Sequence, residues 1–334
     1  MKTFCNKHTK KAKNKYYNKF FTEYNDNSRK QWQMINGLLN RKKKRVNIRK
    51  LIDHDGNIAN TPTAIAENFN EYFANIATNL KIRNEIKQDY DSFKHFLGKP
   101  VLNSIYINPV EPTEVYDVIE KFKNKSTLDT RISALKIANT SYNFTCTIAK
   151  IINTSFQEGV FPTQLKSARV IPVFKEGSKC DVENYRPISL LSSFSKIYEK
   201  LMYNRIIAFL ELNNSLHENQ YGFRSGRSCE HALLTAQKTL LDSLSNHQVS
   251  LLLLIDFSKA FDMVDHNILL KKLQNYGIRG IALTWLKSYL ENRTQFVTID
   301  GINSSTKTIE YGVPQGSILG PLLFIIYIND LPNI

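Results

Sequence analysis

Apolar residues recur along this chain with two different periods. Between Thr63 and Leu80 they return at helical spacing, with Ile65, Phe69, Tyr72, Phe73 and Ile76 on one side, so a helix with one buried face is expected there. The same spacing predicts helices over Pro112 to Lys123 and Ile148 to Gln157. Another carries Leu269, Leu270 and Leu273 on one face and stops at Gly277, a residue suited to helix C-termini. Arg169 to Phe174 and Arg186 to Leu190 read as extended pieces joined by the loop KEGSKCDVEN. Two stretches are continuously apolar instead. Ser250 to Ile255 is too short for an ordinary helix and rich in aliphatics, which predicts a strand buried on both faces. Ile318 to Tyr327 reads as a core helix with Ser317 as N-cap and Pro321 tolerated near its first turn, and it is too short to span a membrane.

Candidate chemistry gathers where these two apolar stretches meet polar residues. Asp256 stands at the exit of the first. A carboxylate there is costly unless it is paired or holds a metal, and hard cations take oxygen ligands of this kind; capping the helix that follows is the other role open to it. In YGVPQGSILGPLLFIIYINDLP, Tyr311 to Pro332, Gly312, Pro314, Gly316 and Gly320 form a stretch that a ligand can approach closely, because glycine has no side chain in the way. The functional content of that segment is expected in the loop Val313 to Ser317.

LLLLIDFSKAFDMVDH, Leu251 to His266, and GVPQGS, Gly312 to Ser317, resemble motifs A and B of reverse transcriptases, in the form typical of non-LTR retrotransposons of the jockey and CR1 kind. SARVIPVFKEG from Ser167, NYRPISLLSSFSKIYEKLMYNRI from Asn184 and QYGFRSGRS from Gln220 follow the family's order and spacing. The resemblance implies an α+β fold, the fingers and partial palm of a right-hand polymerase, preceded by a basic, mainly helical N-terminal extension. It implies RNA-directed DNA synthesis by two Mg²⁺ ions, with Mn²⁺ as the alternative, held roughly 3.5–4 Å apart. The implied partners are an RNA template, a DNA primer and deoxynucleoside triphosphates. By motif, Asp256 is the first metal-binding carboxylate and the carbonyl of Phe257 an extra ligand. Ala260 and Phe261 lie by the nucleotide sugar, with Phe261 as the steric gate, and Gln315 and Gly316 lie against the incoming nucleotide. Lys175 and Arg186 hold the triphosphate, arginine by its fork and lysine as a point charge. Arg224 and Arg227 contact the template backbone. The bland readings are a core aromatic for Phe261, solvated hairpin charges for Lys175 and Arg186, and, for Asp262 and Asp265, structural carboxylates near a helix start.

The pattern also departs from the family. Its motif C carries an Asp-Asp pair, and no such dipeptide occurs in the 334 residues. Tyr327 to Asp330 imitates that motif but follows motif B directly, so it is not matched to it. The expectation is a catalytic fragment ending before motif C and the thumb, inactive as it stands; the alternative is a noncatalytic remnant that at most binds RNA. In KSTLDTRIS, Lys125 to Ser133, Leu128 replaces the usual glycine before Asp129. KQWQMINGLL, Lys30 to Leu39, and DGNIANTPTAIAENFNEYFANIA, Asp55 to Ala77, resemble the connector between endonuclease and polymerase. The implied division is a basic arm over 1–50, a connector over 51–110, fingers over 111–245 and partial palm over 246–334.

Charge sharpens the reading of the arm. Residues 1–50 hold sixteen Lys or Arg against two acids, and the remainder twenty-nine against twenty-eight, within a net charge of +15. Basic residues interleave with Tyr16, Tyr17, Phe20 and Phe21, a pattern fit for phosphate contacts and stacking. Arg41, Lys42, Lys43, Lys44 and Arg45 are a candidate nucleic-acid contact or nuclear localisation signal; a solvated arm is the alternative. The four cysteines are scattered with no CxxC pair, which argues against zinc and suits a reducing compartment. No secretory or membrane segment is read, so an intracellular protein is expected.

Overall fold

The computed structural model describes residues 2–39, 48, 50–52, 56, 58–83, 92–122, 139 and 141–333. The Arg41 to Arg45 run and the Lys125 to Ser133 segment lie outside the described residues. The chain divides into two compact units, Met1–Ile48 and Arg49–Ile334.

The first unit is helical. α1 spans Lys2–Glu23 and α2 Ser28–Leu38, with Asn27 capping α2 by accepting from the Lys30 amide at 3.1 Å. Tyr24 packs against Phe20, ring centroids 4.7 Å apart, and carries the Lys30 ammonium 3.8 Å above its ring.

In the second unit, β1 (Leu51–Ile52) and β2 (Ile58–Ala59) form a small antiparallel pair. They precede α3 (Pro62–Arg83), whose Ile65, Phe69, Tyr72, Phe73 and Ile76 are all buried. α4 (Pro112–Glu120) and α5 (Tyr142–Glu158) follow; α5 starts a turn and a half before its expected beginning at Ile148. The main sheet has β4 (Tyr185–Leu190) antiparallel to β3 (Ser167–Phe174), and β3 parallel to β5 (Arg293–Ile299). Two antiparallel neighbours of β5 complete it: β6 (Ile302–Asn303) and β7 (Lys307–Ile309). Alternate residues of β5 are buried. Two of those inward residues, Arg293 and Gln295, are polar, so their groups need partners. α3 supplies one: Gln295 Nε2 donates to Asn70 Oδ1 at 3.2 Å.

The remaining helices are α6 (Ser193–Leu212), α7 (Cys229–Ser245), α8 (His266–Asn275), α9 (Ile281–Leu290) and α10 (Leu319–Tyr327). All but α7 enter the principal core. In that core Phe161 meets Trp285 and Tyr289 edge-on, at 5.3 and 5.1 Å between centroids, a favoured aromatic geometry. α10 contributes Leu319, Leu322, Leu323, Ile325 and Ile326, all buried.

The strand expected over Ser250 to Ile255 does not form. Leu251 to Phe257 is irregular, and Leu251, Leu253 and Leu254 are 96%, 77% and 82% exposed. A strand requires hydrogen-bonding neighbours, and none of the described strands pairs with this segment. Apolar content alone predicts burial without identifying what would cover the run.

Candidate functional site

The two motif segments meet through their backbones. Gly312 N–H donates to the Val264 carbonyl at 2.8 Å, and Val313 N–H to the Phe261 carbonyl at 2.9 Å. The imidazole of His266 closes the same junction, its Nε2 lying 2.7 Å from the Gly312 carbonyl; against a carbonyl, that nitrogen must carry the proton. Burial holds His266 below the usual histidine range. Gly312 has φ +81°, and a Cβ there would lie 2.9 Å from the Phe261 and Asp262 carbonyl oxygens. The glycine lets the two backbones touch.

A second strap ties the loop to the sheet. Ser189 N–H on β4 donates to the Gln315 carbonyl at 2.8 Å, and a Cβ on Gly316 would stand 2.5 Å from the Ser189 carbonyl. The Gln315 side chain turns the other way, with Nε2 2.9 and 2.8 Å from the two carboxylate oxygens of Asp262. Burial pushes the Asp262 carboxyl up to about 6, against the opposing pull of the Gln315 amide and the Lys259 ammonium. Asp262, His266, Ser189, Arg293 and residues 311–315 line a cavity of ≈ 40 Å³. That is room for a few waters and not for a nucleotide.

Beneath the loop, α10 is held from an unexpected quarter. Glu199 of α6 is fully buried, and its Oε2 accepts from the Ile318 and Leu319 amides at 2.6 and 3.3 Å. Its Oε1 accepts from Ser195 Oγ at 2.9 Å. Amides at a helix start are natural partners for a carboxylate. Burial raises the Glu199 pKa, and these bonds together with the Arg293 charge oppose the rise. Ser317, the expected N-cap, stands one residue before the actual cap, Ile318; its Oγ still accepts from Gly320 N–H at 2.8 Å. Sequence reasoning missed Glu199. The available signal was an acid spaced with Ser195, Met202 and Ile206 on the buried face of α6.

Residues 174–334 match the family described as reverse transcriptase (RNA-dependent DNA polymerase). The RNA-directed DNA polymerase from mobile element jockey of Drosophila melanogaster is 34% identical over 246 residues, covering 72% of this chain and 26% of that protein. The chain belongs to the reverse transcriptase family. The probable RNA-directed DNA polymerases from transposon BS and transposon X-element of the same fly are each 31% identical, over 73% and 85% of this chain. This reverse transcriptase chain spans 26% to 31% of the length of those three relatives. A solved chain titled "Partial Cas6-RT-Cas1--Cas2 complex" covers 66% of this chain and is covered over 33% of its own length, at 18% identity and a TM-score of 0.35, too slight a likeness to bear on the fold.

Within this reverse transcriptase chain the expected site residues fall into three groups. Phe261, Gln315 and Gly316 come together at the strapped loop, where the Phe261 ring stacks on Phe324 at 4.9 Å and meets Phe223 edge-on at 5.9 Å. Ala260 precedes Phe261 and is half-buried, whereas Asp256 and Phe257 lie exposed on the irregular segment. On the sheet, Lys175 pairs with Glu176 at 2.7 Å, and Arg186 is exposed on β4 opposite Val173. The other two arginines have protein partners. Arg224 is buried against Glu211 at 2.8 Å and the His217 carbonyl at 3.1 Å, while Arg227 donates to the Glu218 carbonyl and lies over the Tyr221 ring.

Three carboxylates near the motifs have defined partners. Asp265 caps α8, accepting from the Asn267 and Ile268 amides at 2.9 and 3.3 Å, and Asp262 faces Gln315. Asp330 is buried in an ion pair with Lys272 at 2.5 Å, with the Tyr327 carbonyl 2.6 Å from the same ammonium.

Proposed function

We propose that this chain serves RNA-directed DNA synthesis in a non-LTR retrotransposon. Residues 111–245 act as fingers and 246–334 as part of the palm, after a basic arm over 1–50 and a connector over 51–110. Its partners are an RNA template, a DNA primer and deoxynucleoside triphosphates. The observation that carries this reading is the pair of backbone bonds between Val264 and Gly312 and between Phe261 and Val313. They bring the bulky ring of motif A and the glycine loop of motif B to one spot, as a sugar-sensing nucleotide platform requires. Lys175 and Arg186, on the exposed side of the β3–β4 pair, are assigned to the triphosphate, and Arg224 and Arg227 to the template strand. For the two arginines this requires an exchange of their present protein partners for phosphate. Arg41 to Arg45 extend the nucleic-acid contact or direct the chain to the nucleus. None of the described helices is long and apolar enough to cross a membrane.

Polymerases of this family use divalent cations, Mg²⁺ or Mn²⁺, and two ions need several oxygen ligands between them. The chain offers Asp256 and the Phe257 carbonyl. Among the described residues no three His, Cys, Asp or Glu side chains gather, and Asp262 is turned to Gln315. This donor set does not fit two ions.

Primer extension and nucleotide binding test the reading together. The 334-residue chain is expected to bind a fluorescent deoxynucleotide more tightly than its ribonucleotide, with the preference lost in Phe261→Ala, and to give no extended primer with Mg²⁺. Equal affinity for the two nucleotides in the unsubstituted chain overturns the gate. Extension that Asp256→Ala abolishes overturns the claim of inactivity.

A further inference from the structure

Arg293 opens β5 with a buried side chain whose hydrogen bonding is incomplete. Its Nη1 donates to the Tyr289 carbonyl at 3.1 Å, and the guanidinium lies 4.9 Å from the centre of the Tyr289 ring. Nε and Nη2 are buried and have no hydrogen-bond partner among the described residues. These two nitrogens share one edge of the planar guanidinium, the edge that meets two oxygens of an oxyanion side by side. Arg293 is 2% exposed and lines the cavity of ≈ 40 Å³ at the motif junction. A buried charged donor without an acceptor is costly, so this edge calls for a ligand.

The neighbouring carboxylates are committed elsewhere. Glu199 holds the Ile318 and Leu319 amides, Asp262 faces the Gln315 amide, and Glu291 is exposed, 3.7 Å from Lys287. A second cation adds to the demand for negative charge. Lys166, buried where β3 begins beside β5, is held below the usual lysine range by burial and then by the Arg293 charge. His266, on the same cavity, spends its Nε2 proton on the Gly312 carbonyl, so it is not a competing donor on that side.

We propose that this cavity binds one small monovalent oxyanion, of the size of formate, nitrate or bicarbonate, held side-on by Nε and Nη2 of Arg293. Volume limits the ligand. At roughly 10–15 Å³ for each water-sized body, a cavity of ≈ 40 Å³ takes about three or four of them. Charge limits it too, because Asp262 lines the same cavity and its carboxylate would repel a second negative charge. A bound oxyanion would tie β5 to the motif loop, since Gly312 and Gln315 also line the cavity. The site stands whether or not the chain binds a nucleotide.

Thermal unfolding of the full chain at pH 7.5 tests the site, with sodium formate or sodium nitrate titrated in and ionic strength held constant by the bulky buffer anion MES. The midpoint is expected to rise along a saturation curve, by about 2–4 °C at a tenfold excess of anion over its Kd. Chloride, which offers no pair of oxygens, is expected to give less than half that rise. Arg293→Lys keeps the charge and removes the fork, and Ala74→Leu fills the cavity from α3 without altering Arg293; both are expected to lose the saturable rise. Line broadening of isotopically labelled formate in NMR reads binding without unfolding. It is expected with the parent and absent with Ala74→Leu, which keeps the test decisive if Arg293→Lys fails to fold. A rise that is linear in salt and equal in parent and variants, equal effects of chloride and nitrate, or no rise at all means that water meets the fork, and overturns the site. So does saturable binding that survives in either variant.

Discussion

The amide nitrogen of Gln315 lies within 2.9 Å of both carboxylate oxygens of Asp262, so the polar side chain of the motif B loop is spent on motif A. This acid carries an energetic penalty at neutral pH. Its folded-state pKa, about 6, exceeds its ordinary 3.8, so the native state binds the proton more tightly than the unfolded chain. The stabilisation is fully present below pH 3.8 and is lost as the pH rises through 6. A shift of two units corresponds to about 3 kcal/mol.

Asp262→Asn should therefore raise stability at pH 7–8, by up to about 3 kcal/mol, with Gln315 flipping its amide to meet the new side chain. The gain should shrink toward zero near pH 4, where the parent carboxyl is protonated. Urea unfolding of both proteins from pH 4 to 8 measures it. His266 changes in the opposite sense, since its lowered pKa gives stability above pH 6.5 that is lost on acidification, and it is common to both proteins. A difference independent of pH would show that the ionisation of Asp262 is not the cause.

Gly316 predicts a second outcome. Its φ of +128° and the 2.5 Å approach of a Cβ to the Ser189 carbonyl leave no room for alanine. Gly316→Ala should cost at least the 1–3 kcal/mol typical of a strained backbone, about 2 kcal/mol as a midpoint, and should loosen the bond from Ser189 N–H to the Gln315 carbonyl. Amide hydrogen exchange at Ser189 reads that bond directly. Exchange as slow as in the parent would mean that the loop absorbs the methyl without leaving β4.

Glu199 separates support of the loop from contact with a nucleotide. Glu199→Ala strands the Ile318 and Leu319 amides and the Ser195 hydroxyl, each at about 1–3 kcal/mol if left unpaired. Glu199→Gln keeps an acceptor at the helix start and removes the buried charge, so it should lose much less. Thermal unfolding ranks the two. A nucleotide-binding readout adds the distinction: Gln should bind as the parent does, because Glu199 acts through α10. If Gln and Ala are equally destabilised, the carboxylate charge, and not its acceptors, holds the helix.

How far the sequence disclosed these relations depends on what each residue packs against. The stripe on α3 is legible because its five apolar residues all pack inward, and the motif B helix because it is apolar throughout. β5 is not legible: two of its inward positions hold Arg293 and Gln295, and their burial depends on α3 and β7, far away in sequence. Glu199 is hidden for the same reason, since the amides it holds lie at the start of α10. The pairing of Gln315 with Asp262 is invisible because the sequence gives each residue, taken singly, a different expected role, a nucleotide contact for one and a structural charge for the other. The run Leu251 to Ile255 misleads in the opposite direction, its composition demanding a cover that the described strands do not provide.

That run yields the last prediction. Five consecutive aliphatics in an irregular, exposed segment, without charge or proline, have the composition of an aggregation-prone stretch. Replacing Leu252→Lys and Leu254→Glu together should lower concentration-dependent light scattering and raise the monomer fraction. The melting temperature should hold, because side chains that are 60% and 82% exposed contribute little burial to the fold. A buried strand would behave differently. Two charges inside it would lower the melting temperature steeply, so a large drop would show that the segment folds into the sheet in solution and would return Asp256 to the end of a β-strand.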